Sequence, residues 1–174
     1  MDSEKEFLEK IDKHKGIIFK ISKMYMDNRD DQNDLFQEIV YQVWKSFSSF
    51  EGKSEFSTWL YRIALNTAII FLKSEKRRSF IQNDDVSLYK IKEEDYNLED
   101  ELKLKQMYEA IQKLNPIDKA LIFYYLEDFS GKQMAEQMGI SEGNARVKLN
   151  RAKEKLKETC CAFRDLKKKD CSFD

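Results

Sequence analysis

A single proline, Pro116, and five glycines interrupt a chain of 174 residues. Sandwiches and barrels reverse direction roughly every 8–12 residues and need turn formers to do so. A chain this poor in them is expected to be all-α. Its apolar residues repeat at helical spacing. Phe7, Leu8, Ile11, Ile17, Ile18, Ile21 and Tyr25 give one or two helices, and the polar stretch 27–33 reads as a turn after them. Over residues 34–47, a step of about 100° per residue gathers Leu35, Phe36, Ile39, Val40, Val43, Trp44 and Phe47 on one half. Asp34, Glu38, Tyr41 and Lys45 fall on the other half, free to meet a partner. A loop containing Gly52 then leads into a third helix from Phe56 to about Lys76. Leu60, Ile63, Ala64, Thr67 and Phe71 share one of its faces; Trp59, Arg62, Asn66, Ile69 and Lys73 lie on another arc, and the basic cluster Lys76-Arg77-Arg78 closes the segment.

The C-terminal part carries a second set of helices. Residues 101–114 are amphipathic through Leu104, Met107, Tyr108, Ile111 and Leu114. Asn115-Pro116 stops that helix and opens the next, since proline suits a first helical turn where its missing N–H is not needed. After residues 116–126 come a short helix over about 131–138, a turn at Gly139-Ile140-Ser141, and a long helix from Glu142 to about Cys160. Gly139 can take the left-handed conformation of a helix C-cap, and Ser141 can cap the following N-terminus. Ala135 is small enough for two helices to approach closely, and Ala145, Leu149, Ala152 and Leu156 would hold the second helix to its domain. Glu142, Asn144, Arg146, Lys148 and Arg151 are left outward, a set able to read base edges and grip phosphates. That is helix-turn-helix logic; the plainer alternative is a helical hairpin with a solvated charged face.

A formal net charge of −1 hides a strong separation of charge along the chain. From residue 79 to 101, eight acids face only Lys90 and Lys92, a net of −6; from 142 to 157, six bases face Glu142 and Glu154, a net of +4. The acidic stretch, which lacks periodicity, is expected to be a flexible linker over residues 79–98. It would divide a domain at 1–78 from a second at 99–160, with a Lys-rich tail at 161–174. Cys160, Cys161 and Cys171 are odd in number and far from the only histidine, His14, which makes a poor disulfide framework and a poor metal site. No Ser-His-Asp, Cys-His, P-loop or HExxH pattern occurs, so no enzyme, cofactor or metal is expected. Apolar runs such as 68–72 and 120–126 are far shorter than the roughly 20 residues of a membrane span, and no signal-like core follows Met1. The expected location is the cytoplasm, without membrane insertion.

The stretch Leu114-Asn115-Pro116, followed by Tyr125-Leu126-Glu127-Asp128-Phe129-Ser130-Gly131-Lys132-Gln133-Met134-Ala135 and running on through Gly139-Ile140-Ser141 to Arg151-Ala152, resembles region 4 of bacterial sigma factors of the extracytoplasmic-function (ECF) group. Asp34-Leu35-Phe36-Gln37-Glu38-Ile39-Val40-Tyr41-Gln42-Val43-Trp44 resembles the core-polymerase-binding helix of region 2 in the same family. Phe56-Ser57-Thr58-Trp59-Leu60-Tyr61-Arg62-Ile63-Ala64-Leu65-Asn66-Thr67-Ala68 resembles its promoter-melting helix. Together these matches span most of residues 5–158, in the family's order.

The resemblance implies two small helical domains, one for core RNA polymerase and the −10 element and one for the −35 element. It makes Trp59 a wedge that replaces lost base stacking, with Arg62, Asn66, Lys73, Arg77 and Arg78 along the DNA and Gly52 and Lys53 in a loop that captures a flipped −10 base. Simple packing of Trp59 and an ordinary polar loop are the competing readings. Ser141, Glu142, Asn144, Arg146, Lys148 and Arg151 become the −35 contacts, and Asp34, Gln37, Glu38, Tyr41 and Lys45 the face for the polymerase clamp. Asn144 stands where the family often has Thr, and Val147 where it often has Ser, so no −35 sequence preference carries over. Implied partners are core RNA polymerase through its largest and second-largest subunits, promoter DNA and an anti-sigma factor. In the family the linker threads a polymerase channel in which a −6 segment can imitate phosphates, against the alternative of a solvated tether. Rival functions are a stand-alone helix-turn-helix regulator, which needs neither the residue 34–47 helix nor the Trp59 helix, and a helical adaptor without DNA binding.

Overall fold

The computed structural model describes residues 2–79 and 98–159, with side chains for 4–75 and 102–159. Seven helices and no strand occur among them: α1 (Asp2–Tyr25), α2 (Arg29–Phe47), α3 (Phe56–Ser79), α4 (Leu98–Gln112), α5 (Pro116–Leu126), α6 (Gly131–Met138) and α7 (Glu142–Thr159). They form two compact units, Met1–Ser87 and Leu88–Asp174. The connector expected over 79–98 falls almost wholly outside the described residues, as do Cys160, Cys161, Cys171 and the Lys-rich tail.

In the first unit α1, α2 and α3 all pack against one another. The N-terminal apolar repeat forms one unbroken helix rather than two, passing through Gly16; Phe7, Ile18, Ile21, Met24 and Tyr25 are buried, whereas Leu8 is exposed. The polar stretch expected as a turn is mostly helix. Asn28 caps α2 by accepting from the Asp31 N–H at 2.8 Å, and Asp30 and Asp31 place negative charge in the first turn, where the helix dipole favours it. The Gln32 amide donates to the Met26 carbonyl at 3.0 Å and ties the junction to the end of α1. Leu35, Ile39, Val43 and Phe47 are the buried line of α2. Trp44, expected on the packed half, is 43% exposed and meets Phe7 in a T-shaped contact, with ring centroids 4.8 Å apart. On α3 the buried arc is broader than the sequence suggests: Tyr61, Leu65 and Ala68 join Leu60, Ala64 and Thr67, while Ile63 and Phe71 are half-buried.

The second unit is organised around α7, which packs against α4, α5 and α6. Asn115 caps α5 by accepting from the N–H groups of Ile117 and Asp118, and its amide donates to the Asp118 carboxylate at 2.6 Å. That buried carboxylate lies 3.5 Å from the Lys155 ammonium, which fastens the start of α5 to α7. The turn after α5 closes through the Phe129 N–H donating to the Tyr124 carbonyl at 3.0 Å, with Asp128 in the left-handed region at φ 58°. Ser130 and Gln133 then form a reciprocal capping box that starts α6. Leu104 was expected on the packing face of α4 but is 46% exposed, because among the described side chains of α4 the buried ones, Ala110 and Ile111, lie towards its C-terminal end.

Candidate nucleic-acid and protein interfaces

Gly139 ends α6 at φ 65° and ψ 35°, and its N–H donates to the Ala135 carbonyl. Ser141 begins α7 by accepting from the Asn144 N–H at 3.3 Å, which leaves less of its hydroxyl for other contacts. Ala135, Ala145, Leu149, Ala152 and Leu156 are all buried, as a helix-turn-helix seam requires. At about 100° per residue the outward midline of α7 runs through Gly143, Val147 and Glu154, flanked by Asn150 and Arg151. Of the residues expected to face DNA, Glu142, Asn144, Arg146 and Arg151 are exposed and Lys148 is half-buried. Gly143, Val147 and Asn150 were not among them; the phase of burial along α7 shows that they are outermost.

Half of this helix's six bases are engaged within the protein. Arg146 lies 3.7 Å from Glu142, Lys153 sits over the Tyr125 ring at 4.1 Å from its centroid, and Lys155 meets Asp118. The Lys155–Asp118 pair, whose acid lies outside the segment, lowers the local charge below the segment sum, whereas the Arg146–Glu142 pair is already counted in that sum.

On α3 the residue opposite the buried arc is Asn66, exposed, with exposed Arg62 and Lys73 on the same stripe. Ile70, 67% exposed, lies beside them and was not expected there. Trp59 is half-buried at one edge of the stripe and packs on Phe50 and Phe56, with ring centroids 5.0 and 5.6 Å away. Phe50, Phe56 and Phe47 form one aromatic cluster with Trp59, and Lys10 reaches the Phe50 and Phe56 rings. This cluster roots the loop 50–55, whose Gly52 adopts φ 67°. Gly52 and Lys53 are exposed, and Lys53 forms an ion pair with Glu51 that offsets its charge. Arg77 and Arg78 lie in the last turn of α3, with side chains outside the described residues.

On α2, Asp34, Gln37, Glu38 and Tyr41 line a polar trough with Asp31 and with Phe71 and Glu75 of α3; exposed Lys45 lies outside it. Glu38 is half-buried and accepts from the Gln42 amide at 2.8 Å. Gln37 and Tyr41 also border a second, apolar groove with Phe7, Phe36, Val40 and Trp44. An apolar groove rimmed by charge is the anatomy of a protein-binding face. Among the described residues no cluster of three His, Cys, Asp or Glu side chains is placed to hold a metal, and no helix is long and apolar enough to cross a membrane.

Residues 11–78 match the family model of Sigma-70 region 2, and residues 104–156 that of Sigma-70, region 4. The ECF RNA polymerase sigma-E factor of Haemophilus influenzae is 32% identical over 141 residues, covering 74% of each chain. This chain belongs to the ECF sigma factors of the sigma-70 family. The RNA polymerase sigma factor SigV of Bacillus subtilis is 27% identical over 141 residues, covering 80% of this chain and 81% of SigV. In fold, this sigma factor resembles RpoE from Bartonella quintana, solved in complex with the anti-sigma factor NepR, at a TM-score of 0.66 and 19% identity over 89% of this chain and 96% of that one. It also resembles CnrH, solved with the cytosolic domain of CnrY, at a TM-score of 0.61 and 18% identity. The sigma factor acts in promoter-directed transcription initiation with RNA polymerase, and two regions in the family's order favour neither a stand-alone regulator nor an adaptor.

Proposed function

We propose that three exposed faces divide the work of initiation. The α2 face docks on the clamp of the polymerase largest subunit: Tyr41, 57% exposed between the polar trough and the apolar groove, anchors the contact, and Asp34, Gln37, Glu38 and Lys45 form its rim. The α3 stripe opens the −10 element, with Trp59 stacking at the fork, Asn66 donating and accepting at a base or sugar, and Arg62, Lys73, Arg77 and Arg78 on phosphates. Gly52 and Lys53 belong to the loop beside Trp59 that receives an unstacked base. Helix α7 enters the −35 major groove with Asn144 and Arg151 at base edges and with Ser141, Glu142, Arg146 and Lys148 along its borders.

The observation that carries this assignment is the α3 stripe: a half-exposed tryptophan held on two phenylalanines, in line with exposed Arg62, Asn66 and Lys73. The 79–98 connector, of net −6 through residue 101, occupies polymerase surfaces built for nucleic acid, including those of the second-largest subunit. An anti-sigma factor, the kind of partner present with RpoE of Bartonella quintana, covers the apolar α2 groove in the inactive state. The protein works in the cytoplasm, and its role is positioning rather than catalysis.

Two variants separate the faces. Tyr41→Ala is expected to weaken core-polymerase binding by about 2 kcal/mol, near thirtyfold, with the melting temperature unchanged. Asn66→Ala is expected to keep polymerase affinity and lose strand opening. If Asn66→Ala lost polymerase binding and Tyr41→Ala did not, the two faces would have been assigned the wrong way round.

A further inference from the structure

Val147 occupies the outward midline of α7 and is 48% exposed, an apolar side chain at the point where the helix projects furthest from its own domain. Its surroundings are otherwise polar or charged: Asn144, Arg146, Asn150 and Arg151. One turn earlier stands Gly143, whose φ is ordinary; a Cβ built there would meet nothing within 4 Å among the described residues. Neither crowding nor backbone conformation inside the protein therefore calls for glycine at this position. A glycine within a helix lowers stability relative to alanine. What it leaves is a notch on the outer surface of α7, floored by backbone and bounded on its C-terminal side by the Val147 methyls.

We propose that Val147 and Gly143 form an apolar notch that reads the 5-methyl group of a thymine in the −35 element. In the major groove thymine alone presents a methyl, and apolar side chains recognise it by contact. The missing Cβ at Gly143 lets the helix sit deep enough for a valine, shorter than the arginines around it, to reach the base edge. Arg151, about 40° away around the helix, and Asn144 fix the register by bonding neighbouring groups. This inference rests on the placement of α7 in the −35 major groove.

The test uses holoenzyme, the full chain bound to core polymerase. Preferred −35 sequences are selected from a library randomised in that element, and each thymine of the selected element, on either strand, is then replaced by deoxyuracil, which removes only the methyl. With the parent protein, affinity should fall about fourfold at one position, the size expected for losing one buried methyl. With Val147→Ala the same replacement should change affinity by less than about twofold. Gly143→Ala should raise the melting temperature while weakening −35 binding, a divergence that a purely structural role would not give.

A selected element without thymine, or uracil tolerated everywhere by the parent, would overturn the proposal. So would equal uracil sensitivity in parent and Val147→Ala. If in any of these cases Arg151→Ala still weakened −35 binding, α7 would remain in the groove and only the methyl contact would be wrong. If Val147→Ala and Arg151→Ala both left −35 binding unchanged, the placement of α7 itself would fall.

Discussion

Replacing Trp59 by alanine separates a ring that stacks on DNA from a ring that merely packs. The indole contacts Phe50 and Phe56 at 5.0 and 5.6 Å between centroids and is only half-buried, so its truncation removes two aromatic contacts but opens no sealed cavity. At about 0.5–1.5 kcal/mol per pair beyond the apolar area lost, the folding cost is at least about 1–3 kcal/mol, which a melting curve measures directly. Loss of one stacked base costs about a further 1–3 kcal/mol in the opened complex, or roughly 5- to 150-fold in its equilibrium. Opening is followed by 2-aminopurine fluorescence within the −10 element, and polymerase binding by anisotropy of the labelled sigma factor, both well below the variant's melting temperature. We expect opening to fall within that range and polymerase affinity to change by less than about twofold. Trp59→Phe, which keeps a ring on the aromatic cluster and a face for a base, should recover most of the loss. Reduced polymerase affinity with opening per bound complex unchanged would refute the stacking role.

Other consequences are open to simpler measurements. The Ser22 hydroxyl is buried in the first unit without a hydrogen-bond partner among the described residues, so Ser22→Ala should stabilise that unit by about 1 kcal/mol in a urea titration. Gly139 holds φ 65°, and Gly139→Ala should cost about 1–2 kcal/mol in the second unit, seen as a lower denaturation midpoint, together with weaker −35 binding. Arg151→Ala should weaken −35 binding and reduce the slope of log affinity against log salt by about 1 if the guanidinium also neutralises a phosphate; an unchanged slope would confine it to a base edge.

Much of the second unit was legible in the sequence because local chemistry marks its boundaries. Asn115-Pro116, Gly139 and Ser141 each act through the backbone beside them, and α5 and α6 run over the expected residues. The start of α2 was harder: Asp30, Asp31 and Gln32 look like turn residues until Asn28 is seen capping them. Where tertiary packing decides, periodicity misled. Leu104 and Trp44 fit an apolar face by spacing yet stand exposed, since spacing does not tell how far along a helix its neighbours extend. The ion pair of Lys155 with Asp118 offsets one charge of α7 and the Tyr125 ring holds Lys153 against the domain, and neither partner is adjacent in sequence. The prominence of Val147 depends on which residues of α7 are buried, a matter of phase to within one position.

The most direct measurement mixes the purified chain with core RNA polymerase and a panel of genomic promoter fragments, and scores specific open complexes by permanganate reactivity of unpaired thymines. We expect a stable holoenzyme that opens a defined subset of fragments around the −10 element, with opening abolished when the −35 or −10 sequence of those fragments is scrambled. Failure to bind core polymerase, or binding to DNA fragments with the same selectivity in its absence, would contradict the role in initiation.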